Sequence, residues 1–393
     1  MMNLPGQTSL PVASLQPVAN LKQHWVAVLC NLPPQASGND LLPLLSSDRN
    51  LLDACGKLPL LLRCADPLGL NSVDIERLPP GRLLLCLPAS RCRSANLESQ
   101  LRQLQASGAR FLLEGCIPPE LKLPSQINAC IFDVSHGVLP LVQESLQKLP
   151  GPHLALHVDS QSRLEECRQA GFAWVCGDYA LQPGSGKSEA TSRSRLLKLL
   201  AMVARDADAR ELEALLKQDV GLSFHLLKLV NSAAFAPSTP ITSFTQAINV
   251  LGRRQLQRWL QLLLYARTDD SGTANPLLPL AALRASLMES LCQAQGGNAE
   301  EREKAFMVGM FSLLPAVVVG ALEEVVTAMK LDADIIAALL NGSGMLGSLL
   351  RFTDAATRGR DLPDAAGLGF SSTDYWLAMT QAWRWAGVVM QEA

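Results

Sequence analysis

The chain has 393 residues, with 34 Lys and Arg against 36 Asp and Glu, which gives a formal net charge of −2. Hydrophobic residues make up 48% and aromatic residues 5%. This composition argues against a disordered chain, and the length indicates two domains, or at most three. A near-neutral chain with few aromatic rings lacks the features of a nucleic-acid binder, so we expect no nucleic-acid partner.

The cysteines and the N-terminus indicate the cellular setting. There are ten cysteines and no C-x-x-C pair, which argues against a zinc ribbon or a thioredoxin-like redox motif. The first residues, MMNLPGQTSLPVASLQ, lack the basic start and apolar core of a signal peptide. We therefore expect a cytoplasmic protein with reduced thiols.

The first half of the chain alternates short apolar runs with amphipathic stretches. The runs have strand length, and the amphipathic stretches 97–106, 139–149 and 163–170 have helical spacing. Strands that alternate with helices favour parallel pairing, and this number of runs predicts a barrel-like α/β layout. The predicted strands are 25–32, 59–64, 82–88, 109–116, 128–134, 153–158 and 172–177.

A polar, Gly- and Ser-rich stretch, QPGSGKSEATSRS at 182–194, predicts a linker. Its GSGK tetrad does not have the spacing of a phosphate-binding loop. Such a loop needs a glycine five residues before its Gly-Lys pair, and that position is Leu181.

After Arg195 the apolar residues recur at three-to-four spacing, so this half is predicted to be all-α. One segment, 305–322, is uncharged over nearly the length of a membrane span. Pro315 lies inside it, and proline removes a backbone donor and clashes with the preceding turn. We therefore predict two short buried helices that break near Pro315, and no membrane association.

The segment 219–260, DVGLSFHLLKLVNSAAFAPSTPITSFTQAINVLGRRQLQRWL, resembles the core of the HDOD domain, a helical output module of bacterial signalling proteins. The segments 305–314 and 338–352 resemble later elements of the same domain. HDOD domains are commonly preceded by an EAL domain, the barrel that hydrolyses cyclic di-GMP.

The segment 156–183, LHVDSQSRLEECRQAGFAWVCGDYALQP, is similar to the closing pattern of that barrel. The resemblance predicts an α/β plus all-α chain: a shortened, degenerate, TIM-like EAL barrel at 1–183, a linker at 184–194 and an all-helical HDOD domain at 195–393.

Active EAL enzymes hold two metal ions with acidic side chains and an Asn, which are the oxygen ligands that Mg²⁺ and Mn²⁺ require. At the matching positions this chain offers mostly apolar and thiol side chains, and we expect its strand ends to be poor in carboxylates. Glu114 and Asp159 remain as residual nucleotide-binding candidates. The resemblance therefore implies no catalytic residue, no metal, no cofactor and no enzyme activity. The matching positions are Ala27, Cys86, Glu114-Gly115, Ile131, Leu156, Asp159 and Cys176.

The histidines do not supply an HD-type metal site, which needs several His and a His-Asp dipeptide. None of the five is followed by Asp, and only His225 lies in the helical half. His153 and His157 share a strand face and, with Asp159, form a further metal candidate, although a structural role is favoured.

Two groups in the HDOD-like half are candidates for interaction. Arg253, Arg254 and Arg258 form a basic cluster that would grip a phosphate or an acidic partner, or would be a solvated helix face. Asn231 and Ser232 belong to the HDOD signature and are expected to cap or end helices.

Three functions remain open, and the weakest of them is a hydrolase whose site lies outside both family pockets. The first is a non-catalytic signalling scaffold whose HDOD half contacts a kinase, a cyclase or another regulator. The second is a sensor that binds cyclic di-GMP or another nucleotide without hydrolysing it.

Overall fold

The computed structural model describes residues 11–34, 36–64, 66–92, 96–117, 122–182, 275–317, 322–329 and 331–392, with residues 202, 257, 258, 260–262 and 265. These residues form two compact units. The first is Met1–Ala180 with Asp354–Trp383, and the second is Leu181–Thr353 with Arg384–Ala393. The domain boundaries 1–183, 184–194 and 195–393 stay predictions, and 354–383 groups with the first unit.

Eight strands close a barrel in chain order. The first two are antiparallel, and each later strand is parallel to the one before it. β1 closes the barrel by pairing antiparallel with β8. The strands are β1 Ser14–Asn20, β2 Trp25–Asn31, β3 Leu60–Arg63, β4 Leu83–Pro88, β5 Ala109–Glu114, β6 Ile127–Asp133, β7 Leu154–Leu156 and β8 Trp174–Cys176.

Six helices of the first unit lie between these strands. They are α1 Gly38–Ser47, α2 Asn50–Ala54, α3 Ser72–Glu76, α4 Leu97–Ala106, α5 Pro140–Gln147 and α6 Gln161–Ala170. Short 3₁₀ turns occupy Pro67–Gly69, Ala89–Arg91 and Tyr179–Leu181. The seven predicted strands and three predicted helices of this region are confirmed, and β1 is an eighth strand that the sequence analysis missed.

The barrel interior is a packed apolar core. Because side chains alternate across a strand, every second residue of each strand points inward. The inward residues form one buried cluster, which fills the barrel as in other parallel α/β barrels. Its members are Val18, Ala27, Leu29, Leu61, Leu84, Cys86, Leu112, Ala129, Ile131, Leu154, Leu156 and Cys176.

The remaining described helices come from the second half of the chain. They are α7 Leu277–Ala294, α8 Ala299–Phe311, α9 Leu314–Val317, α10 Leu322–Ala328, α11 Ala333–Asn341, α12 Gly344–Arg358 and α13 Ser372–Glu392, with a 3₁₀ turn at Ala366–Leu368. The break between α8 and α9 confirms the interruption predicted near Pro315. In the second unit, α7 packs extensively on α8.

The first part of α13 belongs to the barrel unit. The Tyr375 hydroxyl donates to the carbonyl of Ala13, just before β1, and Trp383 packs on Trp25 at the start of β2 with ring centroids 5.3 Å apart. The antiparallel β1–β2 hairpin has a short turn with no room for a covering helix. A helix from far along the chain therefore covers these two strands.

Helix length and hydropathy give one further result. Within the described ranges, no single helix is long and apolar enough to cross a membrane. Ala333–Asn341 and Gly344–Arg358 meet those criteria only as a pair, and they are bent by 42° at the break between them.

A candidate functional site at the mouth of the barrel

Polar side chains end several strands at the carboxyl end of the barrel. Asn31, Arg63, Glu114 and Asp133 each lie two residues beyond an inward residue of β2, β3, β5 and β6, and Asp178 lies two residues beyond Cys176 of β8. Strand alternation therefore places the first four above the apolar interior, and Asp178 lies just past the carboxyl end of β8; we call these five residues the mouth layer. In parallel α/β barrels this end carries the ligand site.

Arg63 connects one side of the mouth layer. Its Nε donates to Oε1 of Glu114 at 3.1 Å, and its Nη1 donates to Oδ1 of Asn31 at 3.2 Å. The side chains of Arg63 and Glu114 are 41% and 37% exposed. The Cys86 thiol lies below, 3.9 Å from Oε2 of Glu114. Burial, followed by the Glu114 carboxylate, raises the pKa of Cys86 well above its usual range, so this thiol stays protonated.

Asp133 and His157 form a second polar pair at the mouth. His157 Nδ1 lies 3.0 Å from Oδ1 of Asp133, and the backbone N–H of Ser135 donates to the same oxygen at 2.8 Å. Burial opposes ionisation, but the bonds from Ser135 and then His157 outweigh it and hold the pKa of Asp133 below its usual range. Asp133 is therefore a carboxylate at neutral pH.

Asp178 is paired with residues from the end of α12. Arg358 Nε donates to both carboxylate oxygens of Asp178 at 2.9 Å, and its Nη1 donates to Asp354 at 3.1 Å. Arg360 Nη2 also reaches Asp178, at 3.3 Å. Asp178 therefore meets, beside β8, two arginines and an aspartate that lie about half the chain away in sequence.

The sequence-predicted positions fall into two groups. One group lies in the buried interior, where no side chain carries an oxygen ligand: Ala27, Cys86, Ile131, Leu156 and Cys176. Glu114 reaches the mouth layer, and Asp159 is exposed just after β7, where its Oδ1 accepts weakly from the N–H of Asp178 at 3.5 Å. The structure thus keeps the two residual candidates on the mouth side of the barrel.

Active EAL enzymes hold a pair of divalent metal ions, and the donors present in this barrel do not fit them. Among the residues that the structure describes, no group of three or more His, Cys, Asp or Glu side chains converges as a metal site requires. Glu114 is instead engaged by the guanidinium of Arg63. The positive charge near Glu114 is that of an arginine.

His153 is separate from His157 in the structure. It is buried, its Nδ1 accepts from the N–H of Cys130 at 3.1 Å, and its Nε2 lies 3.2 Å from the carbonyl of Leu149. The Nε2–H tautomer satisfies both partners. His153 therefore joins β6 to the start of β7 and holds no ligand.

We expect His153 to make folding stability depend on pH. Burial lowers the pKa of His153, although the Leu149 carbonyl opposes this effect, whereas in the unfolded chain the pKa is about 6.5. Below that pH the imidazole binds a proton in the unfolded chain, whereas burial opposes its protonation in the folded chain. The contribution of His153 to the free energy of unfolding is therefore fully present above that pH and is lost as the pH falls below it. Urea unfolding at pH 7.5 and 5.5 measures this loss.

His153→Asn keeps an acceptor for Cys130 and should reduce the pH dependence, whereas His136→Asn controls for loss of an exposed imidazole. An unchanged pH dependence in His153→Asn would contradict this account.

Arg258 is the one described member of the predicted interaction set. Its Nη2 donates to Glu289 at 2.7 Å and to Glu303 at 3.1 Å, and its guanidinium lies 4.0 Å from the ring centroid of Phe306. Only 15% of the Arg258 side chain is exposed, and its two ion pairs link it to α7 and α8 of the second unit. The other members, Asn231, Ser232, Arg253 and Arg254, lie outside the described residues.

The sequence analysis missed Asn31, Arg63, Asp133 and Asp178 as site residues. The signal was present for the first three, because each is the polar residue that ends an apolar run. Asp178 gave no such signal, since its partner Arg358 is remote in sequence.

The comparison with protein families identifies residues 191–334. Residues 191–334 match the model of the HDOD domain, so the chain contains an HDOD domain. The predicted fold class, an α/β barrel followed by a helical HDOD region, is confirmed.

Two curated proteins are similar to this chain. One is "Cyclic di-GMP phosphodiesterase CdgJ" of Vibrio cholerae, 30% identical over 240 residues, which are 59% of this chain and 55% of that protein. The other is "Uncharacterized protein YuxH" of Bacillus subtilis, 26% identical over 192 residues, which are 48% of this chain and 46% of that protein. The chain thus spans about half the length of the curated relatives it matches.

Similar solved structures include EAL domains. The EAL domain of Mycobacterium smegmatis DcpA is 14% identical with a TM-score of 0.35, and the match covers 42% of this chain and 89% of that one. The FimX EAL domain of Pseudomonas aeruginosa, bound to c-di-GMP, is 19% identical with a TM-score of 0.32. This match covers 43% of this chain and 88% of that one. Both TM-scores are low, so the barrel is defined by its own strand order and register.

The prediction that this chain is not an enzyme is contradicted by the Vibrio relative, which is named a phosphodiesterase. The prediction depended partly on a supposed scarcity of carboxylates at the strand ends. The structure shows Glu114 and Asp133 ending β5 and β6, and Asp159 and Asp178 following β7 and β8. Glu114 and Asp159 are among the positions that the resemblance singled out, whereas Asp133 and Asp178 each lie two residues beyond one of its interior positions, Ile131 and Cys176.

Proposed function

We propose that this chain is a cyclic di-GMP signalling protein whose barrel mouth binds the dinucleotide and whose HDOD region contacts a regulatory protein partner. The partially exposed Arg63–Glu114–Asn31 cluster above a closed apolar barrel supports the nucleotide site. A guanidinium pairs well with phosphate oxygens, and two phosphates are the charged groups of this ligand. The relative named a cyclic di-GMP phosphodiesterase supports the same ligand.

The expected partner of the HDOD region is a kinase, a cyclase or another regulator. The resemblance of 219–260 to a signalling output module supports this choice. The ten cysteines, all of them free thiols, support a reducing setting, and we place the protein in the cytoplasm.

Calorimetry with cyclic di-GMP, in Mg²⁺ and then in Ca²⁺, tests the nucleotide site. We expect Arg63→Gln to weaken binding about tenfold or more, because it removes a charge-assisted contact to phosphate. Arg102→Gln is the matched control, since Arg102 is 70% exposed and pairs with Glu98 on α4. Assaying the same samples for linear product, with Mg²⁺ or Mn²⁺, measures turnover of the nucleotide.

A flat calorimetric trace with folded wild-type protein would refute the nucleotide site. Equal binding by the wild type and Arg63→Gln would move the site away from this cluster.

A further inference from the structure

Residues 354–360, which we call the covering segment, lie over one side of the barrel mouth. Gly359 follows the last residue of α12 and has φ +69°. A Cβ at Gly359 would lie 2.8 Å from Nδ2 of Asn31 and closer still to Oε1 of Gln16. Asn31 belongs to the mouth layer, and Gln16 lies on the inward face of β1, two residues from Val18. The backbone of the covering segment therefore rests on the ends of β1 and β2.

Charge pairs hold this segment in place. Arg358 donates to both oxygens of Asp178 and also to Asp354, and only 22% of the Arg358 side chain and 20% of that of Asp178 are exposed. A bidentate Arg–carboxylate pair that is largely shielded from water is stronger than an exposed one. Arg360 adds longer contacts to the same two carboxylates, at 3.3 and 3.4 Å.

The opposite side of the mouth is more open, with Arg63 and Glu114 partially exposed and Asp133 about half exposed. Asn31 belongs to both sides, because its Oδ1 accepts from Arg63 and its Nδ2 lies 2.8 Å from the position that a Cβ at Gly359 would take. A ligand that reaches from Arg63 across the mouth would therefore meet the covering segment at Asn31. A cyclic dinucleotide, with two phosphates and two bases, is large enough to do so.

We propose that the covering segment is an internal competitor of the dinucleotide, held over the mouth by the Asp178–Arg358 pair. The chain then exists in a covered form and an open form, and the apparent dissociation constant is the intrinsic constant divided by the open fraction. Any contact that pulls residues 354–360 away, such as a partner bound to the second half of the chain, would raise affinity at the mouth. This inference rests on the proposed function.

Two variants weaken the cover by different means. Arg358→Gln removes the bidentate pair, and Gly359→Ala places a methyl group against Gln16 and Asn31 at a positive φ. We expect each to tighten the binding of cyclic di-GMP by the full-length protein about fivefold or more, because each raises the open fraction.

The controls distinguish release of the covering segment from a general loss of structure in this unit. Gly369→Ala also changes a glycine with a positive φ in this unit, but nothing lies within 4 Å of its Cβ position, so affinity should not change. Hydrogen exchange on the wild type provides an independent readout. Saturating cyclic di-GMP should increase exchange in 354–360, because the ligand displaces the segment.

Four outcomes would refute the proposal that this segment covers the mouth. Weaker binding in both variants, or slower exchange in 354–360 with ligand, would make the segment part of the binding site. Equal affinity in the wild type and both variants, while Arg63→Gln still loses binding, would refute the cover and leave the proposed function intact. Absence of binding in every folded variant would refute the proposed function itself, and the cover with it.

Discussion

Gly177→Ala is expected to destabilise the barrel by about 3 to 5 kcal/mol. Gly177 follows β8 with φ +155°, a region that side chains rarely adopt. A methyl group there would lie 2.7 Å from the carbonyl carbon of Val158 and closer to its N and O. The N–H of Val158 donates to the carbonyl of Cys176, and its carbonyl accepts from the N–H of Tyr179. The backbone at Val158 therefore cannot move away without losing these hydrogen bonds.

Gly171→Ala provides the matched control. Gly171 ends α6 with φ +98°, and nothing lies within 4 Å of its Cβ position. Only the conformational cost remains, about 1 kcal/mol. Urea unfolding of the full-length variants compares the two. A loss at Gly177 no larger than that at Gly171 would show that the end of β8 relaxes around the added methyl group.

Trp383→Ala should cost about 3 to 5 kcal/mol of barrel stability, the usual range for truncating a buried tryptophan. Trp383 is fully buried in the first unit and packs on Trp25 of β2, with the ring planes inclined at 56°. Removing the indole leaves a cavity beside the only antiparallel hairpin of the barrel. Hydrogen exchange in β1 and β2 should rise together with the loss of stability.

Leu377→Ala is the control on the same helix. Its side chain is 64% exposed, so we expect a change within about 0.5 kcal/mol. If Trp383→Ala left exchange in β1 and β2 unchanged, α13 would not stabilise the barrel as its contacts indicate.

The apolar runs of the first half predicted seven of the eight strands because parallel barrel strands are buried on both faces. A run such as LLLCLP at 83–88 has no polar residue on either face, and its length distinguishes it from a helix. β1, SLQPVAN, was missed because Gln16 and Pro17 interrupt its apolar pattern. Gln16 is inward-facing near the mouth of the barrel, where Gly359 of the covering segment lies against it.

The candidate site was only partly predictable. Glu114 was identified through the EAL resemblance, whereas Arg63 was not. Arg63 lies 51 positions from Glu114 in sequence, and only the folded barrel brings the two side chains together. Nor does any local pattern connect Asp178 with Arg358, which are 180 positions apart.

The sequence by itself determined the alternation of strands and helices, the presence of an HDOD domain after the barrel and the apolar character of the barrel interior. Each of these follows from local periodicity or from one contiguous motif. Only the tertiary structure decided which helix covers β1 and β2, which charge pairs with Glu114, and that residues 354–360 lie over the mouth. These are contacts between segments that are remote in sequence. Closure of the barrel brings the segments together, and charges that are shielded from water then pair with one another. No single stretch of sequence encodes either step.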